Sequence, residues 1–208
     1  FHYINMKHLL FGKHPDLLLE VIENNYLESF HTQTTLRIYG SDNNNFTNNT
    51  VKGYANGIYL CAYDEDASNN NTINKNTVIG KSHSSTCYTI QVMGTGNVIE
   101  ENTVSGGFRG ISSEYSNIIR NNDVDSYMVG IYTGLTSTIE NNYVHVSENA
   151  IGMLIRGEGS LIKNNYELIY KNSKLMYEET ILKKDKLTYK YYDATSYKLI
   201  KETTMEKR

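Results

Sequence analysis

A phrase repeated seven times constrains this chain more than anything else in it. The phrase is an apolar residue, two or three polar residues ending in Asn, one further residue, then usually Val. It reads Ile22-Glu-Asn-Asn25-Tyr-Leu27, Phe46-Thr-Asn-Asn49-Thr-Val51, Ile73-Asn-Lys-Asn76-Thr-Val78 and Ile99-Glu-Glu-Asn102-Thr-Val104. It continues as Ile119-Arg-Asn-Asn122-Asp-Val124 and Ile139-Glu-Asn-Asn142-Tyr-Val144, and ends as Ile162-Lys-Asn-Asn165-Tyr-Glu167, where the last apolar residue is lost. The key Asn residues are separated by 24, 27, 26, 20, 20 and 23 positions. A period of this size marks a stacked-repeat architecture.

A second phrase begins eight residues after the key Asn: Gly57-Ile58-Tyr59-Leu60, Gly110-Ile111-Ser112-Ser113, Gly130-Ile131-Tyr132-Thr133 and Ala150-Ile151-Gly152-Met153. Each unit thus holds two or three very short apolar strands with two-residue alternation. Asn, Thr, Ile, Val and Tyr dominate, and these residues favour strands and turns. One coil cannot bury its own apolar face, but coils stacked about 4.8 Å apart form parallel sheets around a continuous core. Apolar residues then stack like on like. Asn25, Asn49, Asn76, Asn102, Asn122, Asn142 and Asn165 are expected at a bend, where each amide bonds the next Asn in the stack and tolerates left-handed backbone. Residues 61–71 and 79–88 read as insertions at other corners.

The expected fold is all-β: a right-handed parallel β-helix of about six to seven coils over residues 21–165. Residues 1–20 read as an N-terminal lead-in or cap, with a short helix after Pro15 or an irregular first coil. Residues 166–208 form a Lys/Tyr-rich tail, read as a cap or the start of another module. Residues 163–208 carry 11 Lys/Arg against 7 Asp/Glu, and the alternation in Leu187-Thr-Tyr189-Lys-Tyr191-Tyr192 suggests hairpin strands. The formal net charge of −3 and the lack of a basic stripe argue against a nucleic-acid partner. No apolar run reaches the roughly 18 residues of a membrane span. The chain begins at Phe1, which reads as a segment of a longer protein flanked by further modules.

These phrases resemble the right-handed parallel β-helix of the pectate-lyase-like superfamily, across about residues 20–165. The fold hosts many activities, so the resemblance implies shape more than chemistry. Its members include polysaccharide lyases, polygalacturonases, uronan epimerases, periplasmic proteins that help load copper into nitrous oxide reductase, and adhesin-like surface proteins. The Asn- and Tyr-rich, tryptophan-free composition looks most like the last group. The Asn-Thr-Asp, Asp-Asp, His-Gly and Arg-Ile-Lys phrases of polygalacturonases are absent, as is the Asp-Pro-His phrase of the epimerases.

Four constellations could carry chemistry. Asp64, Glu65 and Asp66 lie in the first insertion, where a Ca²⁺ site would need several converging oxygens; a polar loop tip gives the same pattern. Asp123, with Asp125 beside it, is the other acidic pair; Asp123 follows a key Asn, a position that should point outward. If Ile58, Ile111, Ile131 and Ile151 point inward, Tyr59, Ser112, Tyr132 and Gly152 point outward, with Arg109 and Arg156 nearby. Such a strip suits a polysaccharide or cell-surface glycan, since aromatic faces stack on sugar C–H surfaces and Arg pairs with carboxylates. Ordinary solvent-facing strand residues would look alike. Among the six His, His83 shares a loop with Cys87, the only metal-like pair; it lacks visible partners, which leaves the copper-loading relatives poorly supported. Counting from the key Asn puts Cys61 and Cys87 near one another, whereas aligning Ile58 with Ile90 places them too far apart for a disulfide; two buried thiols are the default expectation, with pairing left open. Asn45, Asn48 and Asn70 match the N-glycosylation acceptor pattern, which is compatible with a surface protein.

The leading expectation is an extracellular or cell-surface segment of an adhesin-like protein that binds carbohydrate or acts as a rigid spacer, without a cofactor other than Ca²⁺. The competing one is a polysaccharide lyase or glycoside hydrolase using Asp64, Asp66, Asp123 and Asp125, with Arg109 as base or carboxylate clamp.

Overall fold

The structure is a computed structural model. It describes every residue except 1–2, 5–8, 12–20, 31–33, 62–66, 149, 172–173, 184–185, 194–197 and 207–208. Three sheets wrap one core. A coil places a strand in each in turn, as in Val98–Glu100 (first sheet), Thr103–Gly106 (second) and Arg109–Ser113 (third). Six such coils run from Val21 to Ile155, with every strand pairing parallel to its equivalents in adjacent coils. No helix occurs among the described residues. Tyr3–Ile4 and Leu9–Phe11 pair with the first complete coil; the segment after Pro15 lies outside the described residues.

Like stacks on like. Phe46, Ile73, Ile99, Ile119 and Ile139 line the first sheet, Leu27, Val51, Val78, Val104, Val124 and Val144 the second, and Leu36, Ile58, Ile90, Ile111 and Ile131 the third. These side chains are almost wholly buried, each contributing about 1.5–3 kcal/mol relative to exposure. Coils of unequal length keep this register because their extra residues leave at corners.

Seven Asn residues form the ladder expected from the sequence. In the first six, the backbone N–H and Nδ2 both donate to Oδ1 of the Asn in the following coil, at 2.9–3.0 Å and 2.8–3.1 Å. Nδ2 also donates to the carbonyl of the apolar residue one coil back, as from Asn102 to Ile73. One detail is corrected: the left-handed residue is not the ladder Asn but its predecessor. Asn24, Asn48, Lys75, Glu101, Asn121, Asn141 and Asn164 all have φ between 48° and 58°. The predecessor makes the corner, which frees the ladder Asn to turn its amide inward.

The Gly-Ile phrase has a packing cause. A Cβ on Gly57, Gly110 or Gly130 would lie within 2.5 Å of Val78, Val124 or Val144, the core valine of the next coil. Coil three has Thr89 at this place. Its hydroxyl donates to the Gly106 carbonyl, and Gly107 (φ +74°) leaves the room that this needs.

The last phrase ends the helix. Glu167 sits opposite Val144, so the valine column stops. The strand Asn165–Lys171 stays in the second sheet and continues into an antiparallel meander, Lys174–Lys183, Lys186–Asp193 and Leu199–Glu206. The hairpin reading of the tail is realised in these strands.

Candidate functional site

The outer face of the third sheet carries the strip of aromatic and cationic residues. One row across it reads Arg37, Tyr59, Gln91, Ser112, Tyr132 and Leu154. A flanking row reads Tyr88, Arg109, Val129 and Ile151. This corrects the sequence alignment of the last coil. Ile151 is paired with Val129, and Met153 with Ile131, so Ile151 is 44% exposed and Gly152 faces Gly130. Gly152, not Ala150, therefore takes the place in the row that Gly130 holds one coil earlier.

Arg109 is the centre of the strip. Its guanidinium lies 5.0 Å from the Tyr88 ring centre and 4.5 Å from that of Tyr132, whose ring Arg156 also approaches at 5.7 Å. Cation–π attraction of this kind is worth about 0.5–2 kcal/mol, more as water is excluded. These arginines cover the row between them, which corrects a second expectation. Tyr132 is only 7% exposed and Ser112 is fully buried, so neither presents a bare surface. Arg109 Nε and Ser112 Oγ are both buried without a hydrogen-bond partner. Such groups cost about 1–3 kcal/mol each until something pairs with them.

A second cluster lies toward the N-terminal end. Arg37 sits over Tyr39 and Tyr59 and donates to Tyr39 Oη at 2.9 Å and Thr34 Oγ1 at 3.2 Å. Tyr59 donates to Met93 Sδ at 3.0 Å, and burial raises its phenol pKa. Among the described residues, Arg37, Arg109 and Arg156 form no ion pair with a carboxylate. The strip is therefore aromatic, cationic and short of anions.

The other candidates do not join it. Asp123 and Asp125 lie exposed on the second sheet, with Asp125 3.6 Å from His145, whereas Arg109 is on the third. Asp64, Glu65 and Asp66 lie outside the described residues. His83 stacks on Tyr127 at 4.5 Å and is not directed at a metal partner. Among the described residues no three His, Cys, Asp or Glu side chains gather as metal ligands.

Cys61 and Cys87 are buried free thiols, and Ile58 does pair with Ile90. Burial pushes the Cys61 thiol up to about 11, and raises that of Cys87 as well. The thiolate is the reactive form. At mildly alkaline pH an alkylating reagent is expected to leave both native thiols unlabelled and to modify both after unfolding, read by intact mass. Rapid labelling of the native protein would show that these coils open easily.

Sequence reasoning missed a second polar ladder. Asn44, Asn71, Asn97 and Asn117 are bonded through Oδ1 in the same way, and Ser137 and Ser160 complete the column through their hydroxyls. Its signal was an Asn five residues before each key Asn in four phrases. The two ladders bracket the first sheet, one at each end of its strands.

No helix among the described residues is long and apolar enough to cross a membrane. A family model described as periplasmic copper-binding protein (NosD) matches residues 17–204. No curated protein and no solved structure matches the chain.

Proposed function

The chain belongs to the NosD family, and from that premise we propose that it is an extracytoplasmic β-helix module of adhesin-like type whose third sheet binds polysaccharides bearing carboxylates. The supporting observation is Arg109, set between Tyr88 and Tyr132 with a buried Nε that nothing in the described protein accepts from. A uronate supplies what the strip lacks. Its carboxylate pairs with Arg109 and Arg156, and its C–H face lies on the part of the tyrosines left open. Coils about 4.8 Å apart rise at nearly the pace of a pyranose unit in an extended chain, so successive sugars meet successive coils.

Arg109 and the carboxylates Asp123 and Asp125 lie on different sheets, so the base and acids named from the sequence do not meet, which favours retention over cleavage. The family description also names copper. Copper centres need several His, Cys or Met donors at one point. Here the Cys61 thiol donates to the Ile38 carbonyl, Met93 Sδ accepts from Tyr59, and His83 is stacked on Tyr127. The donors that are described do not fit a copper centre, and His2, His8, His14 and His31 lie outside the described residues.

The test is retention on immobilised polygalacturonate against a neutral glucan, with the length of the polymer followed at the same time. Retention on the uronan without shortening is expected. Arg109→Gln is expected to weaken it by about tenfold or more, as loss of a charge-assisted pair predicts. Equal retention on the neutral polymer, or an Arg109→Gln protein that binds normally, would remove the uronan reading. Shortened chains would replace it with an enzyme.

A further inference from the structure

We propose a second binding site, for amino-sugar chains, on the outer face of the second sheet where the last coils meet the antiparallel meander. It lies on a different sheet from the Arg–Tyr strip and does not rest on the uronan reading. Asp123, Tyr143 and Tyr166 occupy one outer row, on three successive strands, and Asp125, His145 and Leu168 the next. Between the rows runs a shallow cleft of about 320 Å³ lined by Asp123, Tyr143, Val144, His145, Tyr166 and Leu168.

The cleft is built for a cation carried on a ring. The Tyr143 and Tyr166 rings are stacked, 5.2 Å between centres and 20° apart in plane. Tyr166 thus covers one face of Tyr143, and the other face turns toward the preceding rung of its row, which is Asp123. An ammonium placed there meets a π-face on one side and a carboxylate on the other. Asp125 is already engaged by His145 at 3.6 Å, whereas Asp123 has no ion-pair partner among the described residues. The exposed Tyr143, at 54%, and Leu168 offer apolar surface to the C–H edges of a sugar ring.

The geometry favours a saccharide over a basic peptide. Each strand flooring the cleft is hydrogen-bonded on both sides within the sheet. A peptide finds no open edge to extend there. A sugar chain needs only ring faces, acceptors for its hydroxyls, and the carboxylate.

The test is calorimetric titration of the intact chain with three hexamers, of glucosamine, of N-acetylglucosamine and of lysine, in buffer acid enough to protonate the sugar amine. The glucosamine hexamer is expected to bind, and the acetylated and lysine hexamers at least about tenfold more weakly. Asp123→Asn and Tyr143→Ala, both at exposed positions, are each expected to weaken it by about fivefold to tenfold. The proposal is overturned by an absence of glucosamine binding, by acetylated or lysine hexamers that bind equally well, or by either variant binding like the parent.

Discussion

Asn102→Ala is expected to be strongly destabilising, as at any buried rung of its ladder. Its Oδ1 accepts from both the backbone N–H and Nδ2 of Asn76, and its Nδ2 donates to the Ile73 carbonyl and to Asn122 Oδ1. Asn102 is 1% exposed, so water does not replace it. The Asn76 N–H would be left buried with no acceptor, and Ile73 would lose a donor. Losses of that kind cost about 1–3 kcal/mol per orphaned group, which puts the total near 3–5 kcal/mol. Asn25 ends its ladder among the described residues and is partly exposed. Asn25→Ala should cost about 1 kcal/mol, the worth of an ordinary hydrogen bond. Urea unfolding of both variants measures the gradient. Equal losses at the two positions would mean that the ladder is ornamental and that the apolar columns alone set stability.

Gly130→Ala is expected to cost about 3 kcal/mol, at the upper end for overpacking by one methyl. The added Cβ would lie 2.1 Å from Val144 Cγ1 and 2.5 Å from the Gly152 carbonyl oxygen. A side chain can rotate away, but a backbone oxygen held between stacked strands moves only with its coil. Adding Val144→Ala removes the first clash and leaves the second. The double variant should therefore recover about 1 kcal/mol relative to the sum of the single losses, a coupling that a double-mutant cycle resolves. Wild-type stability for Gly130→Ala would show that the coils separate more freely than their packing implies.

The stack was legible because its cause is local and repeated. Ile99, Asn102 and Val104 stand at fixed offsets, and a column of identical side chains needs no knowledge of the coils above or below. The second ladder was hidden because a serine hydroxyl at 137 and 160 does the work of an amide, so the column changes letters while keeping its bonds. The last coil was misaligned because Ala150-Ile151 imitates Gly-Ile. Only the register with the preceding coil, Met153 opposite Ile131, reveals that the small residue is Gly152. Tyr59, Ser112 and Tyr132 do share one row of the third sheet, but Gly152 does not, and the burial of that row was not foreseen. Whether Ser112 and Tyr132 are bare depends on where the long Arg109 and Arg156 side chains lie, and that is decided between coils.

The Asn-to-Asn bonds of the ladder all run one way. In every rung the donors belong to one coil and the acceptor to the coil that follows it in sequence. A coil just made can accept from its predecessor at once and donate one Nδ2 hydrogen back to it, but its ladder Asn backbone N–H and other Nδ2 hydrogen wait for a successor. In a chain synthesised from its N-terminus, the growing tip therefore always holds unspent donors, and each arriving coil finds a template already oriented to receive it. Partners are only 20 to 27 residues apart, so no distant segment has to be awaited. Assembly is expected to proceed as a ratchet, one coil at a time, and the meander after Asn165 is where that ratchet stops.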